Sequence, residues 1–162
     1  MTICYDGIPC NCGRRGCFEA MASANALISQ ARKRMRDTQD TLLWGMCGRD
    51  LERVEAKTVF DCADAGDKIA MELLDQYITY LAEGIANLIN IFQPAVLCIG
   101  GGVSRAGEQL LLPLREKITD FVYSKNSSHN TSITLARLDN DAGIVGAALL
   151  GLNDKENSHE TL

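Results

Sequence analysis

The sequence predicts an α/β domain, rich in helix and poor in strand, on three observations. Residues 67–92 carry Leu74, Tyr77, Ile78, Leu81, Ile85, Leu88, Ile89 and Phe92 at i, i+3, i+4, i+7 spacing, which marks one long amphipathic helix. A short unbroken apolar run, Ala95-Val96-Leu97-Cys98-Ile99, follows at once and turns at Gly100-Gly101-Gly102. Such a run suits a buried parallel strand. Ile133, Leu135 and Leu138 mark a second strand after an intervening helix, and strands that alternate with helices pair in parallel. A two-stranded parallel sheet is too small to stand alone. Either further strands come from another part of a longer protein, or the long helices carry the core.

Taken in order, residues 1–19 are rich in Gly and Cys, with Gly7, Gly13 and Gly16 as turn points, and read as an irregular loop. From Ser23, a candidate N-cap, the composition changes to good helix formers. Residues 37–57 read as a polar connection with a short helix near Leu42–Trp44. Thr58-Val59-Phe60-Asp61 resembles a capping box, so Thr58 is expected to cap a short helix that stops at Gly66. Asp67 is expected to cap the long helix, which at 1.5 Å per residue spans ~39 Å. Gln93-Pro94 ends it, because the residue before a proline is pushed out of helical space. Ser104 to about Asp120 is the next helix, with Pro113 as a kink point, and residues 124–131 are a polar loop. Asp141 caps a final helix through Leu150, Gly151 ends it, and a frayed polar tail follows.

The 162 residues make one ordinary domain. Hydrophobic residues at 46% are enough to bury a real core, which excludes wholesale disorder. Sixteen Lys and Arg against twenty-one Asp and Glu give a net charge of −5, a poor basis for holding nucleic acid by charge alone. There is no uninterrupted apolar run long enough for a transmembrane helix. Met1-Thr2-Ile3-Cys4-Tyr5-Asp6 lacks the basic and apolar regions of a signal peptide. The seven cysteines are odd in number and four fall in the first 17 residues, unlike an extracellular disulfide framework. A reducing cytoplasm is the expected setting.

Cys10-Asn11-Cys12-Gly13-Arg14-Arg15-Gly16-Cys17 is C-x-C-x4-C with two glycines. Thiolates are good zinc ligands, and structural zinc takes four ligands in a tetrahedron. The glycines let the backbone fold tightly enough to aim three sulfurs at one point. Arg14 and Arg15 are placed to offset the charge of a metal–thiolate unit. The plainer reading is three ordinary reduced cysteines. Cys4 is the nearest candidate for a fourth ligand, while His129 and His159 lie in segments read as mobile.

Cys10 through Glu19 resembles the C-x-C-G-x-x-G-C-x-E signature of the ROK family, a group of bacterial sugar kinases, glucokinases and NagC-like repressors. The resemblance continues through Ala65-Gly66-Asp67, through Gly84-Ile85-Ala86-Asn87-Leu88-Ile89-Asn90-Ile91-Phe92-Gln93-Pro94, through Ile99-Gly100-Gly101-Gly102-Val103-Ser104, and through Asn140-Asp141-Ala142-Gly143-Ile144-Val145-Gly146-Ala147-Ala148. It implies the C-terminal lobe of an actin-like ATPase (ribonuclease H-like) sugar kinase, helix-rich and truncated. Family members run to about twice this length, more than one typical domain. Their first half carries a D-x-G-G-T phosphate loop and the catalytic aspartate, and neither is found here, since Asp6-Gly7 is followed by Ile8-Pro9. The family's histidine zinc ligand would fall immediately before Met1. The implied organisation is a zinc-binding loop at 1–22, a lobe at 23–152 and a flexible tail at 153–162.

On that resemblance zinc is structural, held by Cys10, Cys12 and Cys17. Glu19 then accepts hydrogen bonds from sugar hydroxyls; the bland alternative is a solvated glutamate at a helix start. Gly100, Gly101, Gly102, Val103 and Ser104 would border the adenosine part of ATP, because glycines admit a ligand close to the backbone; the bland alternative is a simple turn. Gly143, Gly146, Ala147 and Ala148 read as small residues for close helix packing. The stripe on 67–92 reads as core, with part of it a candidate homodimer face. The function implied is an ATP-dependent, glucokinase-like hexose kinase acting on a sugar 6-hydroxyl, with ATP and Mg²⁺ bound by the full-length protein and no activity in this chain alone. The alternative is a NagC-like regulator whose kinase-like body senses sugar while an upstream winged helix binds DNA; the intact triple glycine favours the kinase. A zinc-stabilised interaction module with no ligand is the third reading.

Overall fold

The fold was obtained as a computed structural model that describes residues 1–127, 129–138, 141 and 143–149. In chain order the elements are α1 (Phe18–Ala22), α2 (Ala24–Asp37), α3 (Leu43–Met46), α4 (Ala56–Asp64), α5 (Lys68–Phe92), β1 (Val96–Ile99), α6 (Glu108–Phe121) and β2 (Ser132–Leu135). Single 3-10 turns stand at Leu51–Arg53 and Gly102–Ala106. The expected alternation of helix and strand is present, and β1 and β2 pair in parallel with Val96 opposite Ser132 and Ile99 opposite Leu135.

The long helix α5 is the axis of the fold. It packs against α1, α2, α4 and α6, and its predicted stripe is the core: Leu74, Tyr77, Ile78, Leu81, Ile85 and Ile89 are all buried. Tyr77 is fully buried, and burial pushes its hydroxyl up to about 12. The stripe is uncovered at its C-terminal end, where Phe92 is 72% exposed. Asp67 caps α5 as expected and does more than cap. Its carboxylate accepts from Ala70 N at 2.8 Å, from Leu42 N at 2.6 Å and from Thr41 Oγ1 at 3.1 Å. One buried carboxylate therefore starts the helix and ties down the connection that precedes α3. Gln93 ends α5 in the left-handed region, at φ 44°.

Two expectations need correction, and two hold with added detail. Residues 1–17 form the expected loop without strand or helix, and isolated antiparallel bridges join Thr2 to Cys17 and Pro9 to Arg15, so the segment folds back on itself as a tight hairpin. Thr58 does not cap α4. Glu55 is the N-cap, and Thr58 is the third helical residue whose side chain reaches back to it, so the box is shifted by three residues. The helix after the glycines is broken: Gly107, at φ 61°, separates the 3-10 turn from α6, because an α-helix cannot pass through positive φ. Pro113, the expected kink point, lies inside α6 and does not end it.

The strand β1 was expected to be buried, and only Ile99 is; Val96 and Cys98 are exposed. β1 pairs with β2, which packs against α6, and the exposure of Val96 and Cys98 leaves one face of the run uncovered among the described residues. Residues 143–149 are helical as expected, but every one is exposed, so among the described residues Gly143, Gly146, Ala147 and Ala148 are not packed closely against a neighbouring element. The expected end of that helix at Leu150 and Gly151, and the tail at 153–162, lie outside the described residues.

One close contact marks where the hairpin and α1 seat on α5. A β-carbon on Gly84 would lie 2.1 Å from Phe18 Cε2, so the Phe18 ring occupies the space a side chain at 84 would need. Gly84→Ala is expected to destabilise the chain by about 1–3 kcal/mol through overpacking. In a Phe18→Ala background the same change should cost far less. Urea unfolding of the four members of this double-mutant cycle measures the difference.

Candidate functional site

The site begins with a backbone contact. Gly16 holds φ 61°, and a β-carbon built there would lie 1.6 Å from the Cys4 carbonyl oxygen. No side chain fits. With none present, Gly16 O accepts from Ile3 N at 2.8 Å and Cys4 N at 3.2 Å, while Gly16 N donates to Ile8 O at 2.9 Å. The hairpin tip closes through Cys10 N to Arg14 O and Gly13 N to Cys10 O. Phe18 N donates to Met1 O at 2.9 Å, which anchors the second arm where it enters α1.

This folding brings together the three cysteines that the spacing singled out. The Cys10, Cys12 and Cys17 sulfurs all lie within 4.8 Å of one another, with Cys17 buried and Cys12 exposed. Three thiolates on a tetrahedral ion at about 2.3 Å would lie roughly 3.8 Å apart, so the donor set fits three corners of such a site and can hold a metal ion. Cys4 does not join the group, and neither does His129; among the described residues the cluster supplies three ligands.

The sulfurs are electrostatically unlike. Cys12 Sγ lies 3.5 Å from Cys17 Sγ and accepts from Arg14 Nε at 3.5 Å. The Arg14 side chain, then its backbone, then the neighbouring thiols hold Cys12 down at about 6 against an ordinary 9.0. The same Cys12 contact pushes Cys17 up. Of the two arginines expected to offset thiolate charge, Arg14 touches the cluster and Arg15 does not.

Glu19 sits in the first turn of α1, two residues beyond Cys17. It is exposed, and its carboxylate makes no hydrogen bond or ion pair among the described residues. It is therefore free to accept from a ligand. In the glycine loop, β-carbons on Gly101 and Gly102 would meet nothing within 4 Å, so the backbone there faces open space. Ser104 is buried and its hydroxyl donates to Gly101 O at 2.7 Å, while Val103 packs against the core. Those two residues shape the loop from beneath, and the glycines present it.

One feature had no signal in the sequence. A cleft of about 990 Å³ opens between the hairpin, α2 and α5, lined among others by Asp6, Arg15, Gln30, Lys33 and Tyr80. Three segments far apart in the chain build it, and no local pattern announces such a space. Glu19 does not line it.

The sequence profile of the ROK family matches residues 1–154. The chain belongs to the ROK family. It is 41% identical to the glucokinase of Thermotoga maritima over 143 residues, covering 88% of this chain and 44% of that protein. It is 36% identical to the glucokinase of Halalkalibacterium halodurans, covering 95% of this chain and 46% of that protein. Among solved structures, the ROK glucokinase of Streptomyces griseus, in complex with glucose and AMPPNP, superposes with a TM-score of 0.80 at 31% identity, over 93% of this chain and 49% of that one. A ROK transcriptional regulator superposes with a TM-score of 0.73 at 27% identity, over 92% of this chain. The chain thus spans less than half the length of the curated glucokinases it matches. Among the described residues no helix is long and apolar enough to cross a membrane.

The sulfur electrostatics give a pH dependence with a definite sign. In the metal-free chain the Cys12 thiolate forms as pH rises through about 6, whereas burial pushes Cys62 up to about 11. Iodoacetamide labelling of Cys12, followed by peptide mass spectrometry, should therefore have its midpoint near pH 6 with Cys62 unlabelled. Arg14→Ala should move the Cys12 midpoint upward. A wild-type Cys12 midpoint at the ordinary thiol value would contradict the contact.

Proposed function

We propose that this chain forms the C-terminal lobe of an ATP-dependent hexose kinase of the glucokinase type, acting on a sugar 6-hydroxyl. The observation that carries the reading is the joint presence of the ROK cysteine cluster, an unpartnered Glu19 beside it and an uncovered triple glycine. In this reading Glu19 accepts hydrogen bonds from the hydroxyls of the bound sugar and orients it. A charge-assisted hydrogen bond of this kind fixes position as well as adding affinity. Gly100, Gly101 and Gly102 give the adenosine part of ATP a flat backbone wall, with Val103 and Ser104 holding the wall in shape. The group that takes the proton from the sugar, and the groups that hold the phosphates with Mg²⁺, belong to the other half of the kinase.

Cys10, Cys12 and Cys17 would hold zinc, with the fourth ligand from outside the cluster. When bound, zinc crosslinks the two arms of the hairpin and takes no part in the phosphoryl transfer. The setting we propose is the reducing cytoplasm, which suits seven free thiols. A regulator reading has a foothold in a putative xylose repressor from Caldicellulosiruptor at 29% identity. The glucokinases at 41% and 36% outweigh it. In isolation the chain is expected to form homodimers or larger assemblies through exposed Ile91, Phe92 and Val96.

The test is a fusion of the N-terminal half of the Thermotoga maritima glucokinase to this chain. The fusion should phosphorylate glucose with ATP, and the chain alone should not. Glu19→Gln in the fusion should lower kcat/KM about 10–100-fold, the loss of one hydrogen bond to a charged group. A folded fusion with no phosphoryl transfer, or one unaffected by Glu19→Gln, contradicts the proposal.

A further inference from the structure

The cysteine cluster is asymmetric in a way that metal binding alone does not require. Cys17 is buried and held on both sides: its residue bridges to Thr2, Gly16 before it is locked against Cys4, and Phe18 after it is bonded to Met1. Cys12 is exposed at the hairpin tip beside Gly13, whose added β-carbon would meet nothing within 4 Å. Their sulfurs are 3.5 Å apart. A disulfide needs about 2.05 Å, so closing the pair calls for a shift of about 1.5 Å. The open tip can supply that shift while the anchored arm stays in place.

We propose that Cys12 and Cys17 form an oxidation site for hydroperoxides, in which the exposed sulfur is oxidised and the buried one resolves it. The bookkeeping of atoms is closed. The Cys12 sulfur gives up its proton and attacks one oxygen of hydrogen peroxide, the O–O bond breaks, and Cys12 becomes a sulfenic acid while the departing hydroxide takes up a proton and leaves as water. The Cys17 sulfur then attacks the Cys12 sulfur, the S–O bond breaks, and water leaves with the Cys17 proton. Two electrons pass from two sulfurs to one peroxide, which ends as two waters. Peroxide reaches Cys12 because it is on the surface; Cys17, 4% exposed, is shielded from it and lies 3.5 Å from the Cys12 sulfur.

The consequence rests on the zinc reading above. The disulfide removes two of the three thiolates, and one remaining thiolate cannot hold a structural ion. Oxidation therefore exchanges a metal crosslink between the arms for a covalent one and frees the metal. Reduction by a dithiol reverses the exchange, because the pair passes through no oxidation state beyond the disulfide.

The test treats the chain, zinc-loaded and metal-free in parallel, with one equivalent of hydrogen peroxide. Free zinc is read with a chromogenic chelator and the thiols are mapped by mass spectrometry after blocking. The expected result is a Cys12–Cys17 disulfide ahead of any change at Cys98, the other exposed cysteine. In the loaded chain about one zinc should be released per disulfide formed, and dithiothreitol should restore both thiols. Cys12→Ser should leave Cys17 unoxidised, and Cys98→Ser should change nothing. A chain that takes up no zinc on loading and still forms the same disulfide supports the oxidation site while refuting the zinc reading. Preferential oxidation of Cys98 or Cys4, a disulfide through Cys10 instead, or zinc retained after the Cys12–Cys17 disulfide has formed, each overturns the proposal.

Discussion

Gly16 lies so close to Cys4 that a β-carbon there would overlap the Cys4 carbonyl oxygen, at 1.6 Å. That missing side chain is the constraint on which the site depends. Only with the two arms of the hairpin in backbone contact can Cys17, on the second arm, come within reach of Cys10 and Cys12 near the tip. The positive φ at the same residue excludes other amino acids for a second reason. From Cys17 the chain enters α1 directly, so whatever fixes the sulfur also fixes the position of Glu19 two residues on. In the proposed reading, metal binding and the presentation of one carboxylate are thus a single mechanical arrangement.

The rest of the fold keeps that arrangement in place. The Phe18 ring lies where a side chain at Gly84 would be, which couples the hairpin to the middle of the longest helix. That helix is buried along most of its length by α4, α6 and α2. Its start is fixed by Asp67, whose carboxylate accepts from three donors on two segments. A rigid hairpin on a rigid helix holds side-chain geometry better than a loop tethered at its ends alone.

What could be read from the sequence was local. The long helix follows from its apolar periodicity, and its first and last turns follow from Asp67 and Pro94. The convergence of the three sulfurs follows from cysteines close enough in sequence that geometry leaves them few places to go. The cap of α4 was misjudged because Thr58-Val59-Phe60-Asp61 has the form of a box, while the residue that starts the helix is Glu55, an uncommon N-cap. The exposure of Val96 and Cys98 could not be read, because an apolar run reports the surroundings of the whole folded lobe and not of the part in hand. The break at Gly107 hid inside a stretch of helical composition, since a glycine signals a turn only when its φ is positive. The cleft beside the hairpin depends on three distant segments, and nothing local encodes it.

The central claim is that three sulfurs of one hairpin share one ion. X-ray absorption at the zinc edge of the zinc-loaded protein tests it most directly. The account predicts a first shell with three sulfur scatterers at about 2.3 Å. A shell of nitrogen and oxygen with one sulfur or none would contradict it.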